Sequence, residues 1–288
     1  MRWLITGASG LLGGYLLRLL GAAGEPVVAW GGPHAGEPVT PMDLADPDAV
    51  TAAFRSAKSD VVLHAAALAR LGDCHRDPAG ARHTNTDGSR LLAELAAEAR
   101  ARMVFVSTDL VFDGGRGNYR ETDAPNPLSV YGRTKADAEA AVLAFPRTAV
   151  ARLSLLFGPT LTGRPSFFDQ MLAALRGGPP VALFADEWRT PLALPAAAEA
   201  LAALARSDVT GLLHVGGPER LSRADMGRLL AEAVGGSPTA FTVTTRAAVP
   251  APEPRPADTS LDSSRWRGLF PALPWPTYRA ALATMVAG

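Results

Sequence analysis

Cysteine, lysine and long apolar runs are scarce in this 288-residue sequence, and neither sign of charge is in excess. The single cysteine, Cys74, excludes a disulfide within the chain and a cysteine-rich metal site, and it is consistent with a reducing compartment. We therefore expect a cytoplasmic protein with no bound metal. Acidic and basic residues number 28 each, so the composition favours neither nucleic acid nor an anionic membrane as a partner.

No stretch reaches the run of about 18 apolar residues that a membrane helix needs. The N-terminal segment MRWLITGASGLLGGYLL is apolar, but its glycines interrupt the run where the core of a signal peptide is continuous. The segment fits a strand, a loop and a helix better than a signal peptide. We therefore predict no interaction with a membrane.

The first 30 residues have the pattern of a strand, a glycine-rich turn, a helix and a second strand. Residues 2–6 (RWLIT) and 27–30 (VVAW) are the predicted strands, and Gly7, Gly10 and Gly13 lie between the first strand and the helix. Small residues there allow a close approach to a pyrophosphate, and the amides at a helix N-terminus favour an anion. This context favours a dinucleotide site over an ordinary glycine-rich turn. The G-x-x-G-x-x-G spacing is typical of short-chain dehydrogenases.

The end of the second strand bears on the choice of dinucleotide. An acidic residue there accepts a hydrogen bond from the ribose of NAD, whereas an arginine suits the 2′-phosphate of NADP. The segment that begins at Trp30 (WGGPH) contains neither. Because no acid repels the phosphate, NADP is favoured, and NAD is the alternative. Asp43, which precedes a predicted helix at 47–57, is a candidate contact for adenine, with a loop or helix-capping aspartate as the other interpretation.

Residues 60–67 (DVVLHAAA) predict a buried parallel strand, because the run is apolar without alternation. The alanines at 65–67 leave room for a cofactor across the sheet edge, and plain core packing is the alternative. We interpret His64 as a buried structural histidine. Asn85, at the start of the next predicted helix, is expected to brace the neighbouring strand.

Residues 104–135 combine a strand that ends in Ser107-Thr108-Asp109 with a helix that carries Tyr131 and Lys135. Positions i and i+4 lie on one helix face, so the phenol and the ammonium are neighbours. A cation lowers the pKa of a phenol from its ordinary value of about 10. The pair therefore predicts proton transfer at an alcohol or carbonyl. A surface pair is the alternative, but lysine occurs at only two positions, 58 and 135.

The alternation of strands and helices predicts an α/β protein with a Rossmann-type doubly wound parallel sheet and a smaller α/β substrate-binding lobe. We assign residues 1–157 to the dinucleotide-binding domain, with 195–217 returning to it, and residues 158–194 and 218–288 to the lobe. Residues 148–157 are predicted to form one strand. The proline-rich segment (residues 249–256) is expected to form a wall over the cleft between the two parts.

These segments resemble the extended short-chain dehydrogenase/reductase family and, within it, the dTDP-4-dehydrorhamnose reductases. The matching stretches are GASGLLG at 7–13, HAAA at 64–67, STDLVFDG at 107–114, YGRTKADAE at 131–139 and RPADTSLD at 255–262. The resemblance implies that Tyr131 donates the proton, that Lys135 holds the nicotinamide ribose and lowers the pKa of Tyr131, and that Thr108 hydrogen-bonds the reacting oxygen. Together with Tyr131 and Lys135, the residues of the predicted cofactor site are Gly7, Ser9, Gly10, Leu11, Leu12, Gly13, Trp30, Asp43, Leu44, Ala65, Ala66 and Ala67. The predicted substrate contacts are Thr108, Asp109 and Arg255.

Two positions depart from the family's pattern. Leu110 stands where these reductases carry a tyrosine after Thr-Asp, and Leu155 stands in place of a tryptophan within RLSLLFG. Both positions lie near the sugar in the family. The resemblance implies an NAD(P)H-dependent reductase of a nucleotide-linked 4-keto-6-deoxy sugar, as in dTDP-rhamnose biosynthesis, and leaves the sugar itself open.

Two other functions stay open on the sequence. The first is a sugar-nucleotide epimerase of the same family. Elimination is disfavoured, because dehydratases carry a glutamate at the position of Leu110. The second is a non-catalytic nucleotide-binding regulatory subunit, which the intact Thr108, Tyr131 and Lys135 disfavour. The chain is also a candidate homodimer.

Overall fold

The computed structural model describes residues 1–163 and 165–286. Its strands, in chain order, are β1 (Trp3–Thr6), β2 (Val27–Gly31), β3 (Thr40–Pro41), β4 (Val61–His64), β5 (Arg102–Thr108), β6 (Thr148–Leu153), β7 (Leu156–Phe157), β8 (Val181–Phe184), β9 (Trp188–Arg189), β10 (Leu192–Ala193), β11 (Gly211–Val215), β12 (Leu221–Ser222) and β13 (Phe241–Thr244). Its helices are α1 (Leu11–Ala22), α2 (Pro47–Ala57), α3 (Leu71–Arg76), α4 (Pro78–Arg82), α5 (Gly88–Glu98), α6 (Val130–Leu143), α7 (Phe167–Leu175), α8 (Leu194–Arg206), α9 (Arg223–Val234), α10 (Ser264–Leu269) and α11 (Tyr278–Val286). A single π-helical turn, His83–Asp87, joins α4 to α5.

Seven parallel strands form the central sheet in the order β11-β6-β5-β4-β1-β2-β3. The order reverses between β1 and β4, because the chain runs outward from β1 through β2 and then returns to the other side of β1. The loops that follow β1 and β4 therefore diverge and leave a crevice at the carboxyl edge of the sheet, where open α/β sheets bind ligands. The prediction of a Rossmann-type doubly wound sheet is confirmed.

The sheet is buried on both faces, as the unbroken apolar strands predict. Along β1, Trp3 and Ile5 join one core cluster and Leu4 joins the other, because successive side chains of a strand point to opposite faces. The first cluster includes residues of α1 and α8, and the second includes residues of α2, α5 and α6. The sheet is therefore packed between two hydrophobic layers, which hold its carboxyl edge in place.

The prediction of one strand over residues 148–157 is wrong. Strand β6 ends at Leu153, and β7 pairs with β10 instead of continuing in the sheet. The break lies at Ser154, whose hydroxyl donates to Asp109 Oδ2 (3.1 Å) and accepts from the backbone N–H of Thr190 (3.1 Å). Tertiary hydrogen bonds therefore override the apolar run, and the chain leaves the sheet at its carboxyl edge.

The remaining strands form three two-stranded sheets beside that edge, β7 with β10, β9 with β12 and β8 with β13. Capping boxes begin α7 and α9, with Ser166 bonded to Asp169 and Ser222 bonded to Asp225. Within the described ranges 1–163 and 165–286, no helix combines the length and apolar character needed to cross a membrane.

Candidate active site

The glycine turn between β1 and α1 packs tightly on the segment that follows β4. Gly7 has a φ of +73°, and a Cβ at this residue would lie 2.6 Å from the backbone nitrogen of Ala66. The backbone amide of Ala66 also donates to the Thr6 hydroxyl, at 3.2 Å. Only glycine satisfies both the left-handed conformation and the close approach. The structure thus brings the glycine turn and Ala65–Ala67 together at the carboxyl edge of the sheet.

Helix α1 starts at this turn, with Gly10 as its N-cap residue. The amide of Gly10 donates to the carbonyl of Gly7 (2.9 Å). The amides that follow, in the first turn of α1, have no acceptor within the helix. The Ser9 hydroxyl accepts from the backbone N–H of Gly32 (3.3 Å), which links the turn to the end of β2. A helix N-terminus in this setting favours a phosphate group.

Of three other predicted cofactor residues, two have side chains buried in the core and the third lies in an exposed loop. Trp30 is 2% exposed and lies in a core cluster, while its backbone carbonyl accepts from Ala8 N at 2.8 Å. Leu44 is buried in the same cluster. Asp43 is exposed, and its Oδ1 accepts from the backbone N–H of Ala45 (2.9 Å), as in an ordinary loop turn.

Tyr131 and Thr108 lie at the other end of this edge and line the same cleft. The Ser129 hydroxyl caps α6 by accepting from Gly132 N (3.1 Å), and Gly132 has no Cβ to clash with the carbonyl of Leu110. This close approach seats the helix on the turn after β5. The Tyr131 side chain then lies beside the Thr108 hydroxyl and lines a cleft.

The pKa of Tyr131 is raised above the ordinary value for a phenol. Burial is the main cause, the Asp109 carboxylate adds to it, and the Thr108 hydroxyl opposes it. The expectation of a phenol whose pKa is lowered by Lys135 therefore differs from what the structure shows. At neutral pH the phenol carries its proton.

The Lys135 side chain lies against β5. Its ammonium donates to the Val106 carbonyl (2.7 Å) and lies 3.8 Å from the centre of the Phe105 ring. The side chain is 2% exposed, and burial lowers the pKa of Lys135 to about 7, an effect that the Glu139 carboxylate opposes. Lys135 lies on the same face of α6 as Tyr131, one helical turn further along the chain.

The cleft has a volume of about 610 Å³ and lies between the sheet edge and the smaller sheets. Leu11 marks its glycine-turn end, and Leu110 and Leu155 are both on its wall. Residues 251–256 of the proline-rich segment form a further side. Arg255 also lines the cleft, and its guanidinium lies 4.9 Å from the centre of the Phe184 ring.

Asp109 closes the cleft from the sheet side and is 4% exposed. Its Oδ2 accepts from the hydroxyls of Ser154 (3.1 Å) and Thr259 (2.9 Å), and Arg189 Nε lies 3.6 Å away. Burial raises the pKa of the Asp109 carboxyl, while Arg189 lowers it. These bonds join three parts of the chain at one carboxylate, which fixes the position of the preceding residue, Thr108.

The family model described as "RmlD substrate binding domain" matches residues 1–288. The chain is 37% identical over 281 residues to a "Probable dTDP-4,6-dihydroxy-2-methyloxan-3-one 4-ketoreductase" of Streptomyces antibioticus, which covers 96% of this chain and 92% of that protein. This chain belongs to the RmlD family. It is also 34% identical over 291 residues to a dTDP-4-dehydrorhamnose reductase of Streptomyces griseus, covering 98% of this chain and 91% of that protein.

The fold agrees with this membership. A crystal structure of dTDP-4-dehydrorhamnose reductase from Bacillus anthracis, described as a complex with NADP, superposes with a TM-score of 0.89 over 99% of this chain and 98% of that chain, at 20% identity. The predicted resemblance to the dTDP-4-dehydrorhamnose reductases within the extended short-chain dehydrogenase/reductase family is confirmed.

Sequence reasoning missed a charged group in the cleft wall of this RmlD family member. Glu187 Oε1 lies 3.2 Å from Arg189 Nη2 and 3.1 Å from Arg223 Nε, and all three residues line the cleft. Burial lowers the pKa of Arg223, and Glu187 opposes this. The run Asp186-Glu187-Trp188-Arg189 was a visible cluster of charge, but no spacing in the sequence connects Arg223 to it.

Asn85 acts differently from the expected brace on a strand. Its Oδ1 accepts from Leu68 N (2.8 Å), and its Nδ2 donates to Thr134 Oγ1 (3.0 Å). Asn85 thus ties the loop after β4 to α6, from within the π-helical turn.

Among residues 1–163 and 165–286, no group of three His, Cys, Asp or Glu side chains is arranged to hold a metal ion.

Proposed function

We propose that this protein is an NADPH-dependent reductase of a 4-keto-6-deoxy sugar linked to a nucleotide, with dTDP as the favoured nucleotide. The observation that carries the proposal is the pairing of Thr108 and Tyr131 in a cleft that begins at the glycine turn. Two relatives with at least 34% identity bear names of reductases that act on dTDP-linked keto sugars. NAD is the alternative cofactor.

The residues at the sheet edge fit a dinucleotide. A Cβ at Gly7 would clash with Ala66. Because glycine has no side chain, the backbone there can contact a phosphate beside the amides of α1. When bound, the dinucleotide supplies the hydride. We assign its pyrophosphate to Gly7, Ser9, Gly10, Leu11, Leu12 and Gly13, and the remaining contacts to Asp43, Ala65–Ala67 and the backbone next to Trp30 and Leu44. NADP is favoured because the end of β2 carries no acid.

Tyr131 is proposed as the proton donor to the carbonyl oxygen of the sugar. Its raised pKa keeps the phenol protonated at neutral pH, which is the form that a reduction consumes. The Thr108 hydroxyl is positioned to hydrogen-bond the same oxygen, because it faces the phenol. Lys135 is assigned to the nicotinamide ribose.

Asp109 and Arg255 are proposed as substrate contacts, together with the charged wall of Glu187, Arg189 and Arg223. A wall with two arginines suits a diphosphate, since guanidinium groups bind phosphate oxygens in pairs. In this division of the chain, residues 1–157 and 195–217 bind the dinucleotide, and residues 158–194 and 218–288 bind the sugar nucleotide. The placement of β11 in the central sheet supports the return of residues 195–217. The lone cysteine supports a cytoplasmic location, and a homodimer stays a prediction.

The test is NADPH oxidation in the presence of a dTDP-linked 4-keto-6-deoxy sugar. We expect turnover with the wild type and a loss of about 10²-fold or more in Tyr131→Phe, with NADPH binding retained. Tyr15→Phe is the matched control, because that phenol donates to the Pro159 carbonyl (2.8 Å) outside the cleft wall. Undiminished turnover in Tyr131→Phe would contradict the assigned role.

The two alternatives give different outcomes. An epimerase recycles its bound cofactor, so it would convert a sugar nucleotide without added NADPH. A regulatory subunit would bind the dinucleotide and show no turnover of any keto sugar. Product analysis with and without NADPH therefore separates the three functions.

A further inference from the structure

Helix α6 carries two buried charges one turn apart. Lys135 is 2% exposed and Glu139 is 4% exposed, and both side chains face β5. Lys135 donates to the carbonyl of Val106, and Glu139 accepts from the hydroxyl of the next residue, Ser107, at 2.5 Å. Thr108 follows directly. The pair therefore meets the strand immediately before the residue that faces the phenol.

Glu139 is held in place by several donors. Arg152 Nε lies 2.9 Å from Oε1 and 3.1 Å from Oε2, and Arg152 Nη2 donates to Oε2 at 2.6 Å. With the Ser107 hydroxyl, these donors satisfy both carboxylate oxygens. A bidentate arginine of this kind fixes the position of a carboxylate.

The arginine is anchored in turn by a neutral histidine. His214 Nδ1 lies 3.0 Å from the Tyr119 carbonyl, so Nδ1 carries the proton and Nε2 is free to accept from Arg152 Nη1 at 3.3 Å. Burial lowers the pKa of His214 to about 4, an effect opposed by Glu121. The network thus runs from β11 through β6 and β5 to α6.

The groups around Lys135 differ in sign. On β4, His64 is neutral, because burial and then Lys135 itself lower the pKa of that histidine to about 3. On β5, the Phe105 ring and the Val106 carbonyl attract the ammonium. On α6, the Glu139 carboxylate lies one turn from Lys135 and is paired with Arg152 of β6. A buried ammonium loses the solvation of water, so a fixed anion nearby decides whether it keeps its proton.

We propose that Glu139 is a positioning residue for the reaction, which holds Lys135 as a cation against β5. This inference rests on the proposed function, in which Lys135 binds the nicotinamide ribose as a cation. A purely structural ion pair with Arg152 is the competing interpretation. The two differ in what the carboxylate charge does to Lys135.

The chain offers a direct measurement, because it contains only two lysines, Lys58 and Lys135. Protein labelled at the lysine side chains gives two sets of NMR signals, and the exposed Lys58 is the internal reference. The burial predicts that Lys135 titrates at about pH 7 in the wild type. A wild-type midpoint below pH ~6 would mean that Glu139 does not offset the burial, and the proposal would fail.

The decisive variant is Glu139→Gln, which preserves the side-chain shape and removes the charge. We expect the Lys135 midpoint to fall by about 1 pH unit or more, with the Lys58 signal unchanged. Glu139→Asp restores the charge and should bring the midpoint most of the way back. Ser107→Ala removes one hydrogen bond but keeps the carboxylate, so it should leave the midpoint near the wild-type value.

Kinetics give an independent readout. In the Glu139→Gln variant, the alkaline limb of the kcat/KM profile should move to lower pH by the same amount as the NMR midpoint. An unchanged Lys135 midpoint in folded Glu139→Gln would overturn the proposal whether or not the enzyme turns over. A shifted midpoint in a protein without reductase activity would instead refute the proposed function and leave the coupling between Glu139 and Lys135 intact.

Discussion

Glu253 accepts a hydrogen bond from the backbone N–H of Val130, with 2.8 Å between Oε1 and the nitrogen. Val130 is the first residue of α6, and Tyr131 is the next. The first amides of a helix have no partner within the helix, and a carboxylate there is favourable. The same oxygen lies 3.6 Å from Arg133 Nη2 and 3.8 Å from His75 Nδ1. The proline-rich segment is thus attached to the helix that carries the proposed proton donor.

Loss of this attachment should impair catalysis. We expect Glu253→Ala to lower kcat/KM by roughly 10-fold, because removal of a helix-terminal acceptor costs about 1 kcal/mol and loosens one side of the cleft. Glu253→Gln keeps an acceptor and should lose less. Steady-state kinetics with the keto sugar measure both variants, and Glu94→Ala, at a half-buried residue of α5 outside the cleft wall, is the control. Equal activity of Glu253→Ala and the control would show that the attachment has no role.

Stability should fall below pH 6.5, because two histidines are buried without a proton. The neutral form of His64 is fixed by its partners: Ser89 Oγ donates to the Asn85 carbonyl and so accepts from His64 Nε2, which leaves Nδ1 to accept from the Thr6 hydroxyl. The pKa of His64 is lowered to about 3 and that of His214 to about 4. Each histidine is neutral in both states above the unfolded pKa of about 6.5, and there its contribution is fully present.

As the pH falls from about 6.5 toward the folded values, the unfolded state gains protons that the folded state does not. Each histidine should therefore contribute a slope of up to ~1.4 kcal/mol per pH unit to the free energy of unfolding. Urea unfolding between pH 5 and about pH 7 measures this slope. His64→Gln should reduce it, and His83→Gln should not, since His83 is exposed. A slope that is unchanged in His64→Gln would mean that His64 is protonated in the folded protein.

Two glycines near α1 should respond in opposite ways to the same substitution. Gly7→Ala places a Cβ 2.6 Å from Ala66 N at a φ of +73°, so the turn and the strand end must separate. We expect a loss of stability of about 1–3 kcal/mol and a large loss of NADPH affinity. Gly21 lies inside α1, and no atom is within 4 Å of a Cβ added there. Gly21→Ala should raise stability by about 0.5–1 kcal/mol and leave NADPH binding unchanged. Thermal unfolding and NADPH titration of the two variants check both results.

Local signals explain which parts of the fold the sequence predicts well. The first strand, the glycine turn and the first helix lie within one short segment, and residues 61–64 of the apolar run form a buried strand, which is shorter than the predicted 60–67. The structure places the predicted helix of Tyr131 and Lys135 at residues 130–143. These elements depend on periodicity, capping and turn residues that are adjacent in the chain.

Long-range contacts explain the remainder. Strand β6 ends before Ser154, whose hydroxyl donates to Asp109 and accepts from the backbone N–H of Thr190, both from distant segments. In the charged wall, Glu187 forms an ion pair with Arg223, and no local sequence pattern predicts that contact. Helical spacing places Tyr131 and Lys135 on one face, but the depth of the Lys135 side chain depends on the Val106 carbonyl. Such contacts follow from tertiary packing and not from spacing.

The two leucines on the cleft wall should control which sugar is reduced. Leu110 and Leu155 stand where the resemblance implies a tyrosine and a tryptophan, and both line the same cleft as Thr108. An aromatic ring packs against the apolar face of a sugar over a larger area than leucine does, and one such contact is worth about 1 kcal/mol. The double variant Leu110→Tyr and Leu155→Trp should therefore raise kcat/KM for dTDP-4-dehydrorhamnose about 5- to 10-fold relative to other dTDP-linked 4-keto sugars. Competition between two keto sugars in one reaction measures this ratio directly, and Leu143→Trp, on an exposed part of α6, is the control. If the ratio is the same in the double variant and the wild type, the side chains at positions 110 and 155 do not determine which sugar is reduced.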